Sequence, residues 1–172
     1  MQRNVEKFGF SDKRGRTRTS TDPYLPEAGL KEPAVCQSCQ AIYQQKRWQL
    51  DPLLVAKLAD DPATHWVTCP ACQKIAEHYP EGILTLRGSY LWDHEQEIHN
   101  ILVNAANRFT ARNPLERIIR MQRTGEALII ETTDNKLAEQ LGRSLQKAHS
   151  GELQIDWQGA PVICRVQWER WQ

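Results

Sequence analysis

The chain has 172 residues, 40% of them hydrophobic and 25% charged, and its 22 Lys and Arg against 21 Asp and Glu leave a formal net charge of +1. That length admits one or two small domains, and a charge balance so close to zero selects no partner by itself. No run of 18 apolar residues is present and the first seven residues hold no apolar stretch, so neither a membrane span nor a secretory signal is expected, and the cytoplasm is the expected compartment.

Residues 1–33 are polar and rich in Arg, Lys, Ser, Thr and Pro, with Arg14, Arg16 and Arg18 at the centre of the most basic stretch. So little apolar surface cannot offset the entropy of ordering, which predicts a disordered basic tail. Such a tail serves either as a solubilising segment or as an arm that orders on nucleic acid.

Residues 34–90 carry the sharpest motif, Cys36-Gln-Ser-Cys39 and Cys69-Pro-Ala-Cys72, with 29 residues between the pairs. Each knuckle offers two sulfurs from one tight turn, and two knuckles complete the four-coordinate shell of a structural Zn²⁺ site. A closed shell leaves no position for a substrate water, so the expected metal is structural. Iron in the same four-thiolate set, two redox dithiols, and two disulfides in an oxidising compartment stay open as alternatives. A Gly often follows the second Cys of a knuckle, where the turn favours positive φ, but Gln40 and Gln73 stand there. His65 and His78 flank the second knuckle, though four Cys already saturate the site.

Around the knuckles, residues 41–48 read as a strand or hairpin arm, and Asp51-Pro52 as an N-cap followed by Pro in the first helical turn. A short helix with Leu53, Leu54, Val55 and Leu58 follows, ending before Asp61-Pro62. Residues 65–69 return as a strand, residues 74–78 as a helical turn stopped by Pro80, and residues 82–88 as a strand. This is the pattern of a zinc ribbon or treble clef with a helix between its knuckles.

Residues 91–112 follow a helical period, with Leu91, Ile98, Leu102, Ala105 and Phe109 on one side, and Asn113-Pro114 ends the run. A hairpin over residues 115–132 turns at Thr124-Gly125. Asp134 caps a second helix with Leu137, Leu141, Leu145 and Ala148 on its apolar face, closed by Gly151. A last hairpin turns at Gln158-Gly159, and Cys164 alternates with Val162, Val166 and Trp168 as a small core residue. The expected fold is α+β: a four-cysteine module over residues 34–90, then an α-β-β-α-β-β antiparallel sandwich over residues 91–172 with its helices on one face. Trp66, Trp157 and Trp168 are expected in the core.

Arginine gathers in the second half at Arg108, Arg112, Arg117, Arg120 and Arg123, while Arg143 and Lys147 lie i, i+4 on the second helix. Lys46 and Arg47 adjoin Trp48. Guanidinium groups bind phosphate in bidentate fashion and stack on bases, so Arg14, Arg16, Arg18, Arg47, Arg117, Arg120, Arg123, Arg143 and Lys147 are candidate RNA contacts. Strand alternation sets a constraint: Arg117 and Arg123 fall on one face and Arg120 on the other unless a bulge intervenes. Enzyme signatures are lacking, with no Gly-rich phosphate loop, Gly-x-Ser-x-Gly or His-Glu-x-x-His, and His94 and His99 read as exposed helix positions.

The four-Cys module, Trp48 after the first knuckle, the Leu53, Leu54 and Leu58 helix and the Tyr90-Leu-Trp-Asp-His94 stretch ahead of a β-rich region form a recognisable layout. It resembles the N-terminal half of the archaeal and eukaryotic export adaptor for the large ribosomal subunit, and small bacterial zinc-ribbon proteins. By motif, the resemblance carries over Cys36, Cys39, Cys69 and Cys72 as zinc ligands, and it implies ribosome binding. Together these readings predict a non-enzymatic zinc protein that binds structured RNA, with a ribosomal subunit as partner. A protein-interaction adaptor using its hairpin edges, for example in transcription, is the alternative.

Overall fold

The computed structural model describes Tyr24 and residues 29–172. Most of the expected tail, with Arg14, Arg16 and Arg18, lies outside the described residues. The end of the segment assigned to that tail belongs to the fold: the carboxylate of Glu32 accepts the backbone N–H groups of Gln45 and Lys46 at 2.8 and 2.9 Å, and Pro33 O accepts from His65 N at 2.9 Å.

The first half builds a four-stranded sheet from β1 (Ala34–Cys36), β2 (Ile42–Gln44), β3 (Arg47–Gln49) and β4 (His65–Val67), in the order β3-β2-β1-β4. β1 runs parallel to β4 and the other pairs are antiparallel. The β2–β3 turn has Gln45 and Lys46 both at positive φ, 53° and 60°, where Gly or Asn is the usual choice. The Glu32 carboxylate offsets that strain by holding both turn N–H groups. Between β3 and β4 lies α1 (Pro52–Ala59), whose first-turn donors Leu53 N and Leu54 N are accepted by Asp51 Oδ1 at 3.1 Å, as expected of an N-cap. Its Leu58, with Leu54 and Val55 beside it, packs on Val35 and Ile42. After β4 comes α2 (Pro70–Glu77).

The second sheet contains β5 (Gly82–Arg87), β6 (Ile118–Thr124), β7 (Ala127–Thr132), β8 (Glu152–Gln158) and β9 (Ile163–Glu169), in the order β6-β7-β5-β9-β8. The helical run divides at His94 into α3 (Ser89–Asp93) and α4 (Glu95–Arg112), and α5 (Asn135–His149) follows β7. Leu84, Leu86, Ile130, Val166 and Trp168 on the sheet meet Ile98, Leu102, Leu137, Leu141 and Leu145 on the helices, all fully buried. The architecture is mixed α+β, with two sheets and five helices among the described residues.

Two expectations change here. The sandwich is not wholly antiparallel, because β9 pairs in parallel with β5. Of the last hairpin, β9 points Cys164, Val166 and Trp168 inward with no exposure, whereas β8 leaves Trp157 43% exposed. The more apolar strand therefore takes the inner position, which inverts its direction against β5. The boundary expected at residue 90 also moves, since β5 is the central strand of the second sheet, with Leu84 and Leu86 in its core.

Trp168 is core, with Nε1 donating to Ser150 O at 2.7 Å, but Trp66 and Trp157 are 49% and 43% exposed. β4 and β8 are edge strands, so a side chain there has a neighbour on one flank only. No helix among the described residues is long and apolar enough to cross a membrane.

Candidate metal centre and its basic surroundings

Parallel pairing of β1 with β4 sets Cys36 opposite Val67 and so brings the two knuckles together. In the first knuckle the chain reverses after Cys39 through Gln40, at φ 61°, and Gln40 N donates to Cys36 O at 2.9 Å. Glutamine thus adopts the left-handed conformation that glycine takes more readily. The second knuckle needs no such residue, because it opens a helix. Cys69 is the N-cap of α2, Pro70 occupies the first turn, and Cys72 N donates back to Cys69 Sγ at 3.4 Å.

The Sγ atoms of Cys36, Cys39, Cys69 and Cys72 all lie within 4.8 Å of one another, and none is in a disulfide. Cys39 Sγ and Cys69 Sγ are 3.6 Å apart. A tetrahedral ion bound at about 2.3 Å from each sulfur separates the sulfurs by about 3.8 Å. The observed set matches that spacing, so these residues can hold a metal ion. Cys36 and Cys69 are fully buried and Cys72 nearly so, while Cys39 is partly exposed.

Around the sulfurs, Cys69 N donates to Cys36 Sγ and Arg117 Nη1 to Cys72 Sγ, both at 3.3 Å. Such donors disperse thiolate charge and orient the ligands. Among the sulfurs themselves, a hydrogen bond from Cys69 holds the Cys39 thiol down to about 5. The same contact, with burial, pushes Cys69 well up, and burial pushes Cys72 up to about 11. Sulfurs this close share protons where a cation would otherwise hold them together.

Arg117 reaches the centre from the segment that leads into β6. Buried Thr133 fixes it there, its hydroxyl donating to Leu115 O at 2.6 Å and accepting from Arg117 N at 2.9 Å. Leu115 packs on the Cys cluster from the same segment. A second tie runs from α2, where buried Lys74 pairs with Glu81 at 2.9 Å and donates to Thr133 O at 3.4 Å.

The other sequence-predicted cations are spread out. A register shift between Ile118 and Arg120 interrupts β6. Arg120 makes a two-toothed pair with Glu131 at 2.5 and 3.1 Å, and the Arg123 guanidinium stacks 3.9 Å over Trp92. Arg117, Arg120 and Arg123 therefore do not share one patch. Arg143 pairs with Glu139 at 2.8 Å, whereas Lys147 is exposed with no ion pair among the described residues. His99 is exposed, but His94 stacks on Tyr90 at 3.8 Å, and Tyr90 Oη in turn meets His149 Nδ1 at 3.0 Å.

A groove of about 600 Å³ that the linear pattern did not single out lies beside the centre. Tyr43, Arg47 and Trp48 of the hairpin form one wall, and Arg112, Asn113 and Leu115 the other. The signal for its aromatic pair was present as two rings flanking a two-residue turn, since Tyr43 sits directly across from Trp48. Arg112 stood in the arginine cluster, but nothing in its spacing linked it to residues some sixty positions earlier.

No protein-family model matches the chain, and neither does any curated protein or solved structure.

Proposed function

We propose that the chain is a non-enzymatic zinc protein that binds structured RNA, with a ribosomal subunit as its target. One observation carries this reading: a four-sulfur set stands beside a groove lined by Lys46, Arg47, Arg112 and two aromatic rings, with no carboxylate in its walls. Zinc suits four thiolates in a buried tetrahedron, and the second knuckle, which opens α2, follows the treble-clef manner. With all four positions taken by sulfur, the ion's role is to organise the hairpin and the start of α2. The ribosomal target comes from the resemblance to the export adaptor family, and assembly, quality control or dormancy are the roles it frames.

The test is sedimentation of the tagged protein from lysate on sucrose gradients at low and raised salt. Migration with a ribosomal subunit is expected, weakening with a log–log slope of roughly −0.7 to −0.9 per phosphate contacted. Protein that stays at the top of both gradients would sink the reading. The adaptor alternative draws on exposed Trp66 and Trp157 along the edge strands β4 and β8. An interface built on such apolar anchors predicts a partner retained at high salt.

A further inference from the structure

We infer that the groove between the β2–β3 hairpin and the end of α4 binds an unpaired nucleotide of RNA, with the base against Trp48 and the phosphate on Arg112 and Arg47. The inference rests on the RNA-binding reading and specifies which part of an RNA the protein takes.

Trp48 is built as a platform. Its ring lies 5.3 Å from that of Tyr43 at 52°, a tilted cross-strand pair that braces it. It also packs on the Cys cluster, yet it remains only partly buried and lines the groove. An aromatic ring held in this way accepts any base by stacking.

Charge selects a phosphate-bearing ligand. Lys46, Arg47 and Arg112 are all exposed, and none is in an ion pair among the described residues, in contrast to Arg87, Arg120 and Arg143. Two carboxylates come near without lining the groove. Glu32 is engaged by the turn N–H groups, and Glu116 accepts from Asn113 Nδ2 at 3.3 Å, its carboxyl pushed up chiefly by burial while Asn113 and the nearby Arg112 charge act in the opposite direction. The Gln49 side chain makes no hydrogen bond among the described residues and is free to read a base edge.

Shape selects an unpaired nucleotide. The volume of about 600 Å³ falls in the range of roughly 300–1,000 Å³ typical of small-ligand clefts. A base within an A-form duplex cannot reach such a recess, whereas a splayed base in a loop, bulge or end can. The pocket beside Trp92 is a poorer site for the same ligand, because Asp93 and Glu126 line it and Arg123 already covers the ring.

The experiment uses the zinc-loaded full chain and fluorescence anisotropy. The probes are a short labelled single-stranded RNA of mixed sequence and the same RNA annealed to its complement. The single strand is expected to bind more tightly than the duplex. Arg112→Ala should weaken single-strand binding about fivefold or more and make the salt slope shallower by about 0.7–0.9, while Lys57→Ala, an equal charge loss elsewhere in the module, should not. Trp48→Ala should weaken it about tenfold or more, and Trp48→Phe should recover much of that loss. Because Trp48 also supports the Cys cluster, bound zinc is measured for each variant, and Arg112→Ala decides alone if Trp48→Ala loses metal. Single-strand affinity unchanged in Arg112→Ala, or a duplex bound as tightly as the single strand, overturns the groove assignment and leaves RNA binding standing. Wild-type protein that binds neither probe and migrates with no subunit removes the RNA reading and the groove together.

Discussion

Arg117 is one of the residues through which the two halves of the molecule meet, beside Lys74 and Leu115. Its guanidinium donates to Cys72 Sγ at 3.3 Å, and Thr133 holds its backbone in place. A donor to a ligating thiolate lowers the sulfur's nucleophilicity and its tendency to take up a proton, and loss of such a partner typically costs 10–100-fold in metal affinity. Arg117→Met should therefore transfer zinc to a competing chelator with affinity reduced about tenfold, and Arg117→Lys should recover part of it. Competition titrations with a chromogenic chelator read this directly, and equal affinities in wild type and Arg117→Met would show that the contact does not tune the metal. Arg120 and Arg123 lack this role, one held by Glu131 and the other by Trp92.

At the scale of the element, α5 shows how closely a helix is seated on the sheet. A Cβ added at Gly142 would lie 2.6 Å from Val166 Cγ1 and 3.0 Å from Leu153 Cδ1. Replacing Gly by Ala in a helix interior gains about 1 kcal/mol of propensity. Overpacking a tight contact costs about 1–3 kcal/mol. Both crowded atoms belong to branched side chains on β9 and β8, packed within the sheet's inner face, so the clash outweighs the propensity. Gly142→Ala should lower stability by about 1 kcal/mol and the Tm by about 2–4 °C. A Tm that rises instead would show that β8 and β9 yield to α5. The hairpin β2–β3 makes a complementary point, since its strained Gln45-Lys46 turn depends on Glu32, thirteen residues before Gln45.

For the whole molecule, the two sheets differ in what holds them. The first has a small apolar core of Val35, Ile42 and Leu58 beside the Cys cluster, and the second buries large side chains from β5, β7, β9, α4 and α5. A structural zinc site contributes about 10–16 kcal/mol in small metal modules, far more than three apolar side chains supply. Chelation should therefore unfold residues 34–77 and leave residues 82–169 folded, and Cys36→Ser or Cys72→Ser should do the same. Hydrogen exchange with and without chelator checks this. Retained protection over β1–β4 after the metal is gone, or a Cys72→Ser variant that keeps stoichiometric zinc, would overturn the ligand assignment.

The features legible in the sequence are those governed by neighbours along the chain. Asp51 and Asp134 cap their helices because an N-cap needs only the next three residues. The Cys-x-x-Cys spacing of each knuckle is likewise local, and the demand for four ligands implied that the pairs meet. What only the tertiary structure decided depends on which strand lies beside which. β9 enters between β5 and β8 because its inward side chains bury more completely, and this turns an expected antiparallel sheet into a mixed one. The register shift in β6 and the carboxylate opposite Arg120 disperse an arginine cluster that looked continuous in one dimension. The groove joins a hairpin that follows the first knuckle to the end of a helix in the second half. A linear pattern records periodicity and caps, but the partners of a charge, the exposure of an edge-strand Trp and the walls of a groove follow from long-range packing, which residue spacing does not encode.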